Sequence, residues 1–298
     1  MALCNLCPRK CAKDRENKIL GFCQKTNDIE LARVSLHMWE EPCISGKNGS
    51  GTVFFSGCSL KCVYCQNYDI AVNGDGGKVS KDELGEIFLN LQKKGAHNIN
   101  LVTPTHYVLQ IADVLKKVKP LLNIPVVYNT SGYELSESIK LLDGLVDIYL
   151  TDFKYFFPET AKKYSNAENY PEFAKTALKE MVRQKPKFSF DENKMMTEGV
   201  IVRNLLLPGN LKNSKEVLSY VYSTYGDNVF ISIMNQYTPV KQNEKYPELN
   251  ERPTKREYQK LIDHAVKTGI KNAYIQDGES ASDAFVPVFG KDSVLVDF

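Results

Sequence analysis

Cys58, Cys62 and Cys65 stand at C-x3-C-x2-C spacing in FFSGCSLKCVYCQN. Three thiolates within eight residues can converge on one metal centre if the loop wraps around it. A structural zinc site takes four protein ligands and a [4Fe–4S] cluster normally takes four cysteines, but this segment supplies three. On a cluster the shortfall leaves one iron open to a substrate or cofactor, as the open position does in catalytic zinc sites. The bland alternative is chance spacing. It leaves unexplained why all eight cysteines fall in the first 65 of 298 residues. A second set, Cys4, Cys7, Cys11 and Cys23, reads C-x2-C-x3-C-x11-C. Its four thiolates could close a tetrahedral zinc site, hold a second iron–sulfur cluster, or stay free. Cys43 lies apart from both sets. A disulfide framework is a device of small secreted chains, and a chain of this length buries a core without staples.

The elements that must carry these residues follow from periodicity. Residues 1–50 are polar, Cys-rich and short of clear period, and they read as an N-terminal extension; residues 51–298 read as one α/β domain. Strands are predicted at Thr52–Ser56, Ile99–Val102, Val126–Asn129, Asp147–Leu150, Val200–Leu206, Val229–Met234 and Ala273–Gln276. Between them helices are predicted at Lys81–Lys94, Tyr107–Lys117, Glu134–Leu142, Pro171–Arg183, Ser214–Thr224 and Lys255–Thr268. Val108, Ile111, Ala112 and Leu115 show the i, i+3/i+4 apolar spacing, and Ser80 and Gly95 bracket the first helix as cap and stop. Strands alternating with such helices imply parallel pairing and right-handed crossovers. An open doubly wound sheet and a partly or fully closed β/α barrel both fit. The first Cys loop then follows the first strand of that domain. Two Tyr-rich stretches after strands, Tyr155–Tyr170 and Tyr237–Pro253, read as solvated surface insertions or as a lid or substrate wall at the sheet's C-terminal mouth.

Composition narrows the partners. Lys and Arg total 38 against 36 Asp and Glu, so nothing marks a nucleic-acid footprint or a membrane anchor. No apolar run approaches a bilayer's width. The first residues lack the apolar core of a secretory signal, and the expected location is the cytoplasm. NGDGGK lacks the phosphate-loop pattern and reads as a turn.

An aromatic, Tyr64, just before the last cysteine of C-x3-C-x2-C completes a motif that resembles that of radical SAM enzymes. The likeness extends through CNLCPRKC, EEPCISG, GSGTVFFSGCSLKCVYCQN, NLVTPTH, VVYNTSGYE, DIYLTDFKY, VRNLLLPG, ISIMNQYTP and IQDGES. Together these strings resemble an uncharacterised branch similar to pyruvate formate-lyase activating enzyme. The resemblance implies a partial or full TIM-like β/α barrel with a [4Fe–4S] cluster on Cys58, Cys62 and Cys65. S-adenosyl-L-methionine would bind the open iron, and its reductive cleavage would give methionine and a 5′-deoxyadenosyl radical that abstracts hydrogen. A reductant such as flavodoxin or ferredoxin is implied, with a metabolite, a peptide or a glycyl-radical enzyme as the target.

The same resemblance assigns cofactor contacts to strand ends. Thr103, Thr105 and His106 occupy the place of a Gly-Gly-Glu segment that holds the methionine amino group in many relatives. Their bland reading is a helix cap. Asn129 and Ser131 close the third strand, where they suit a ribose or carboxylate or merely end the strand. Asp152 and Lys154 match an Asp-x-Lys segment, and alternate residues of an extended strand share a face. A surface ion pair is the rival reading. Arg203 inside an apolar strand needs an anionic partner. His37 and Trp39 are expected to pack near the cluster loop. Outside this class stand a non-catalytic iron–sulfur electron carrier and a zinc-stabilised binding module.

Overall fold

The computed structural model describes residues 3–74, 76–240 and 242–276. Its strands are β1 (Ile29–His37), β2 (Ser50–Phe55), β3 (Gly77–Val79), β4 (Ile99–Val102), β5 (Val126–Thr130), β6 (Ile148–Asp152), β7 (Ser189–Phe190), β8 (Met196–Leu205), β9 (Phe230–Met234) and β10 (Ala273–Ile275). Its α-helices are α1 (Pro42–Ser45), α2 (Lys81–Lys93), α3 (Val108–Val118), α4 (Ser136–Lys140), α5 (Pro158–Ser165), α6 (Tyr170–Gln184), α7 (Leu211–Tyr225) and α8 (Lys255–Thr268). The DGES part of IQDGES, from Asp277 on, lies outside the described residues.

Sheet neighbours run β10-β9-β8-β6-β5-β4-β2-β1-β3, with β7 attached to β8. From β2 to β10 every neighbouring pair is parallel. The order never doubles back, which separates this sheet from a doubly wound one, whose reversal puts helices on both faces. With right-handed crossovers throughout, the helices fall on one side. The two end strands do not meet, so the barrel is partial rather than closed.

Side chains on a strand alternate between faces. Val53, Phe55, Leu101, Tyr128, Tyr149, Val202 and Ile231 pack with Phe88, Ile111, Leu178, Val217 and Leu261 of the helices in one large core. The concave face is layered. Towards the strand starts, Val127, Ile148, Leu150 and Ile201 close around Cys43 and Ile44 of α1, an apolar plug. Two residues further along each strand the layer becomes polar: Asn129, Asp152 and Arg203.

Elements with clean periodicity fall within a few residues of expectation, and α8 and β4 match it to the residue. Strand β1, in the segment read as an extension, was not expected. It pairs antiparallel with β2 and β3. A bulge between Leu31 and Arg33 shifts the alternation: Ile29, Leu31 and Val34 pack in the large core while Ala32 is buried in a separate cluster with Phe54, Ile70 and Val102, which removes the period-2 signal. Helix α5 arises inside Tyr155–Tyr170. Pro158 opens it, a favoured first-turn residue, and Asn166 ends it with φ of 45°. Tyr155, Tyr164 and Tyr170 are buried, so this stretch is not a solvated surface insertion.

Candidate active site

A cavity of about 230 Å3 opens on the concave face at the C-terminal ends of the strands. That is where open α/β sheets and barrels bind ligands. Cys62, Tyr64 and Cys65 line it together with Asn129, Asp152, Lys154 and Arg203. A contiguous recess adds Cys58, Thr103, Thr130 and Ser131. Three thiols of one loop thus face the polar layer of β5, β6 and β8. Thr103 closes β4 with φ of 58°, a left-handed conformation rare for a β-branched residue.

The Cys loop is held from below by tyrosines. The Tyr155 hydroxyl donates to the Tyr64 hydroxyl at 2.8 Å. Ser165 Oγ of α5 donates to Cys62 Sγ at 3.0 Å, and the Leu60 N–H points to Cys58 Sγ at 3.3 Å. The Tyr64 ring meets Tyr155, Tyr164 and Tyr237 edge to face. Burial pushes the Cys65 thiol up to about 12, the neighbouring cysteines adding to it, and raises Cys58 as well. A buried thiol stays protonated until a bound cation takes the proton's place.

Arg203 organises the floor. Its Nε donates to Asp152 Oδ1 at 2.8 Å, Nη2 to Asn129 Oδ1 at 2.7 Å and Nη1 to Glu40 Oε2 at 3.2 Å. Lys154 Nζ donates to Asp152 Oδ2 at 2.5 Å. Glu40 Oε1 accepts from the side-chain amides of Asn100 and Asn129. Burial works against the Asp152 carboxylate, but Arg203 and Lys154 outweigh it and hold its pKa below the ordinary value. Glu40 and Glu41 go the other way: burial raises both, only partly countered by Arg203. The floor therefore gathers three carboxyls around two cations.

Most of the expected site residues meet here, and two do not. Thr105 and His106 turn away from the cavity. Thr105 Oγ1 donates to Glu134 Oε1 at 2.6 Å, as Thr130 Oγ1 does at 2.5 Å. The His106 Nε2–H donates to the Ser56 carbonyl at 2.7 Å. Burial, aided by the Arg15 charge, depresses that imidazole to about 3, so it stays neutral. The 3-10 turn Thr105–Tyr107 rotates both side chains into the core. Glu134 is the carboxyl that both threonines of that corner meet, and burial raises it to about 7.

Other lining residues were missed in the sequence. Glu40 is one, with Glu41 buried beside it at 4.0 Å from Arg203, and two adjacent acids in EEPCISG beside an apolar plug segment are the available signal. Gln66, Asn67 and Gln236 carry no pattern and reach the cavity only through folding, while Tyr237, the first residue of the Tyr237–Pro253 stretch, also lines it. His37 and Trp39 do line it, facing Cys62 and Cys65. Cys43 is buried in the apolar plug and raised to about 11 by that burial. Among the described residues, no three His, Cys, Asp or Glu side chains are packed tightly enough to hold a single metal ion. No described helix is long and apolar enough to cross a membrane.

Residues 52–191 match the radical SAM superfamily. An uncharacterised protein of Methanocaldococcus jannaschii, MJ0674, is 30% identical over 280 residues, which is 91% of this chain and 76% of that protein. The chain is similar to Streptococcus suis SuiB bound to its precursor peptide SuiA, with a TM-score of 0.50 and 11% identity, over 74% of this chain and 46% of SuiB. For methylornithine synthase (PylB) the TM-score is 0.49 at 14% identity, over 71% of this chain and 58% of PylB. At these identities the likeness to SuiB is one of fold, and the chain spans about half the length of the two solved chains. The superfamily match runs from β2 through the Cys loop to β7, the stretch that builds most of the cavity, and the archaeal relative is matched along most of its length: the chain belongs to the radical SAM superfamily.

Proposed function

We propose that this radical SAM enzyme holds a [4Fe–4S] cluster on Cys58, Cys62 and Cys65 and binds S-adenosylmethionine in the cavity beside it. The carrying observation is the convergence of the three thiols with Asn129, Asp152, Lys154 and Arg203 on one cavity at the strand ends. The donors fit the group. Three soft thiols too far apart for one ion suit a polynuclear centre, and Ser165 and the Leu60 N–H are placed to donate to its sulfurs. When bound, the cluster and S-adenosylmethionine supply one-electron cleavage of a sulfonium bond and a 5′-deoxyadenosyl radical.

The chain's own groups bind, orient and exclude water. Asp152, held ionised by Arg203 and Lys154, accepts from an ammonium. Lys154 donates to a carboxylate. Asn129, Thr103 and Ser131 offer hydrogen bonds to hydroxyls. Trp39, Tyr237 and Met234 give apolar walls that shield a reactive centre from solvent. An electron carrier has no use for such a cavity.

The test is release of methionine and 5′-deoxyadenosine by the anaerobically reconstituted, chemically reduced protein. Cys58→Ala/Cys62→Ala/Cys65→Ala abolishes it if the assignment holds. Unchanged release in that variant rejects the assignment.

The rim favours a second reading, activation of a glycyl-radical enzyme. Trp39 is 59% exposed and Met38 42% exposed beside the cavity mouth, apolar area suited to receiving a partner's loop. Deuterium transfer into 5′-deoxyadenosine separates the readings: label from a partner's Cα-deuterated glycine supports the activator, label from a deuterated metabolite the small-molecule enzyme.

A further inference from the structure

We propose that Cys4, Cys7, Cys11 and Cys23 hold a second iron–sulfur cluster, of the four-iron type, in the N-terminal segment packed against the Cys58 loop. The proposal does not rest on the function proposed for the cavity.

Residues 3–28 contain no helix and no strand, yet Cys7, Arg15, Cys23 and Lys25 within them are buried. A polar segment of this kind has too little apolar area to order itself and needs a cross-link. All eight cysteines are free, so disulfides do not provide it. The thiols gather instead around Gly21 and Arg15. A point one bond length from the Gly21 Cα lies 3.2 Å from Cys23 Sγ and 3.6 Å from Cys11 Sγ. Arg15 Nη1 donates to Cys4 Sγ at 3.6 Å, and Cys7 interacts electrostatically with both Cys4 and Cys23.

Arg15 is the observation that points to a bound group. Its side chain is 3% exposed and always charged. It donates to the carbonyls of Lys25, Thr26 and His106, but among the described residues no carboxylate lies within ion-pair reach of it. A buried cation needs an anionic partner. Cys4, which accepts from Arg15 Nη1, and Cys23 are the nearby candidates, and a metal-bound thiolate carries that charge. Four thiolates leave either a zinc ion or a cluster anionic, so charge does not choose between them. Spacing favours the cluster: among the described residues no three of these thiols stand close enough to share one metal ion, as Zn–S bonds of ~2.3 Å require.

The position also ties the two Cys sets together. The Cys23 carbonyl packs against Gly57, where a Cβ would come within 2.6 Å of it and where φ is 86°. Lys61, in the Cys58 loop, stacks its ammonium on the ring of Phe22, the residue before Cys23.

The experiment is iron, acid-labile sulfide and zinc analysis of anaerobically reconstituted full-length protein, with Mössbauer spectra of the wild type. We expect about eight irons in the wild type and about four in each of two variants, Cys58→Ala/Cys62→Ala/Cys65→Ala and Cys4→Ser/Cys7→Ser/Cys11→Ser/Cys23→Ser. Iron absent from the first variant, or one zinc beside four irons in the wild type, overturns the proposal and leaves the cavity assignment standing. Four irons retained by the first variant and none by the second would sink the cavity assignment alone. Should the second variant fail to fold, Arg15→Gln decides. Removing the buried cation lowers the midpoint potential of the cluster that survives in the first variant, and an unmoved potential overturns the placement.

Discussion

Arg203 and Glu134 set the behaviour of single residues around the cavity, and they do so in opposite ways. Arg203 binds three acceptors of the floor, and its loss leaves Asp152, Glu40 and Glu41 buried without their main counter-charge. Breaking a buried ion-pair network costs about 3–5 kcal/mol, so Arg203→Met is expected to lower the unfolding free energy by that order. Arg203→Lys, keeping the charge but losing the fork, should recover part of it; chemical denaturation of the two variants checks this. Glu134 carries a pH signature. Burial raises its folded pKa from 4.5 to about 7. Between those values the unfolded chain releases a proton that the folded one retains, so this group's contribution to stability falls as pH rises from about 4.5 to about 7 and levels off above. Glu134→Gln keeps an acceptor for Thr105 and Thr130 and has no proton to lose. Its melting temperature should therefore fall less than the wild type's between pH 5 and 8, and parallel curves would refute the assignment.

Elements matter here chiefly through their ends, because the site sits where strands stop. Gly132, after β5, has φ of 77°, and a Cβ there would lie 2.2 Å from the Asp152 carbonyl oxygen. Gly132→Ala is expected to push the end of β6 away and to weaken S-adenosylmethionine binding together with stability; a binding isotherm and a melt on the same preparation test both. The cap of α2 is a control. The Glu83 N–H donates to Ser80 Oγ at 3.1 Å and the Ser80 N–H to Glu83 Oε2 at 2.7 Å. Ser80→Ala should cost about 1 kcal/mol and leave cofactor binding unchanged, since the helix start faces away from the cavity.

At the scale of the whole molecule, Arg9 straps the N-terminal segment to the barrel. It donates to the carbonyls of Ser59 at 2.9 Å, Ser165 at 2.9 Å and Asn166 at 2.6 Å, and it stacks on Phe22. Arg9→Ala should loosen the backbone around Lys10, Lys13 and Lys18, already exposed, so that trypsin cuts there faster than in the wild type and well before the barrel, with the cleavage order read by mass spectrometry. The N-terminal segment, its strap and the Cys loop each hold the next, so a cut there should also loosen the Cys58 loop. How these parts divide between sequence and structure follows from the range of the forces. The C-x3-C-x2-C loop, the alternation of strands and helices, and the strand-end placement of Asn129, Asp152 and Lys154 are local patterns, fixed by spacing and periodicity, and they were legible in the sequence. Strand β1 was not, because its bulge erases the period, nor was α5, whose polar composition hid a helix that packs against the Cys58 loop. Tertiary structure alone decided that the sheet stays open, since closure depends on how distant strands twist. It alone brought Glu40 beside Arg203 across 163 positions, and turned Thr105 and His106 inward. Such choices are made by burial and by the pairing of buried charge between residues far apart in the chain, and no local spacing records them.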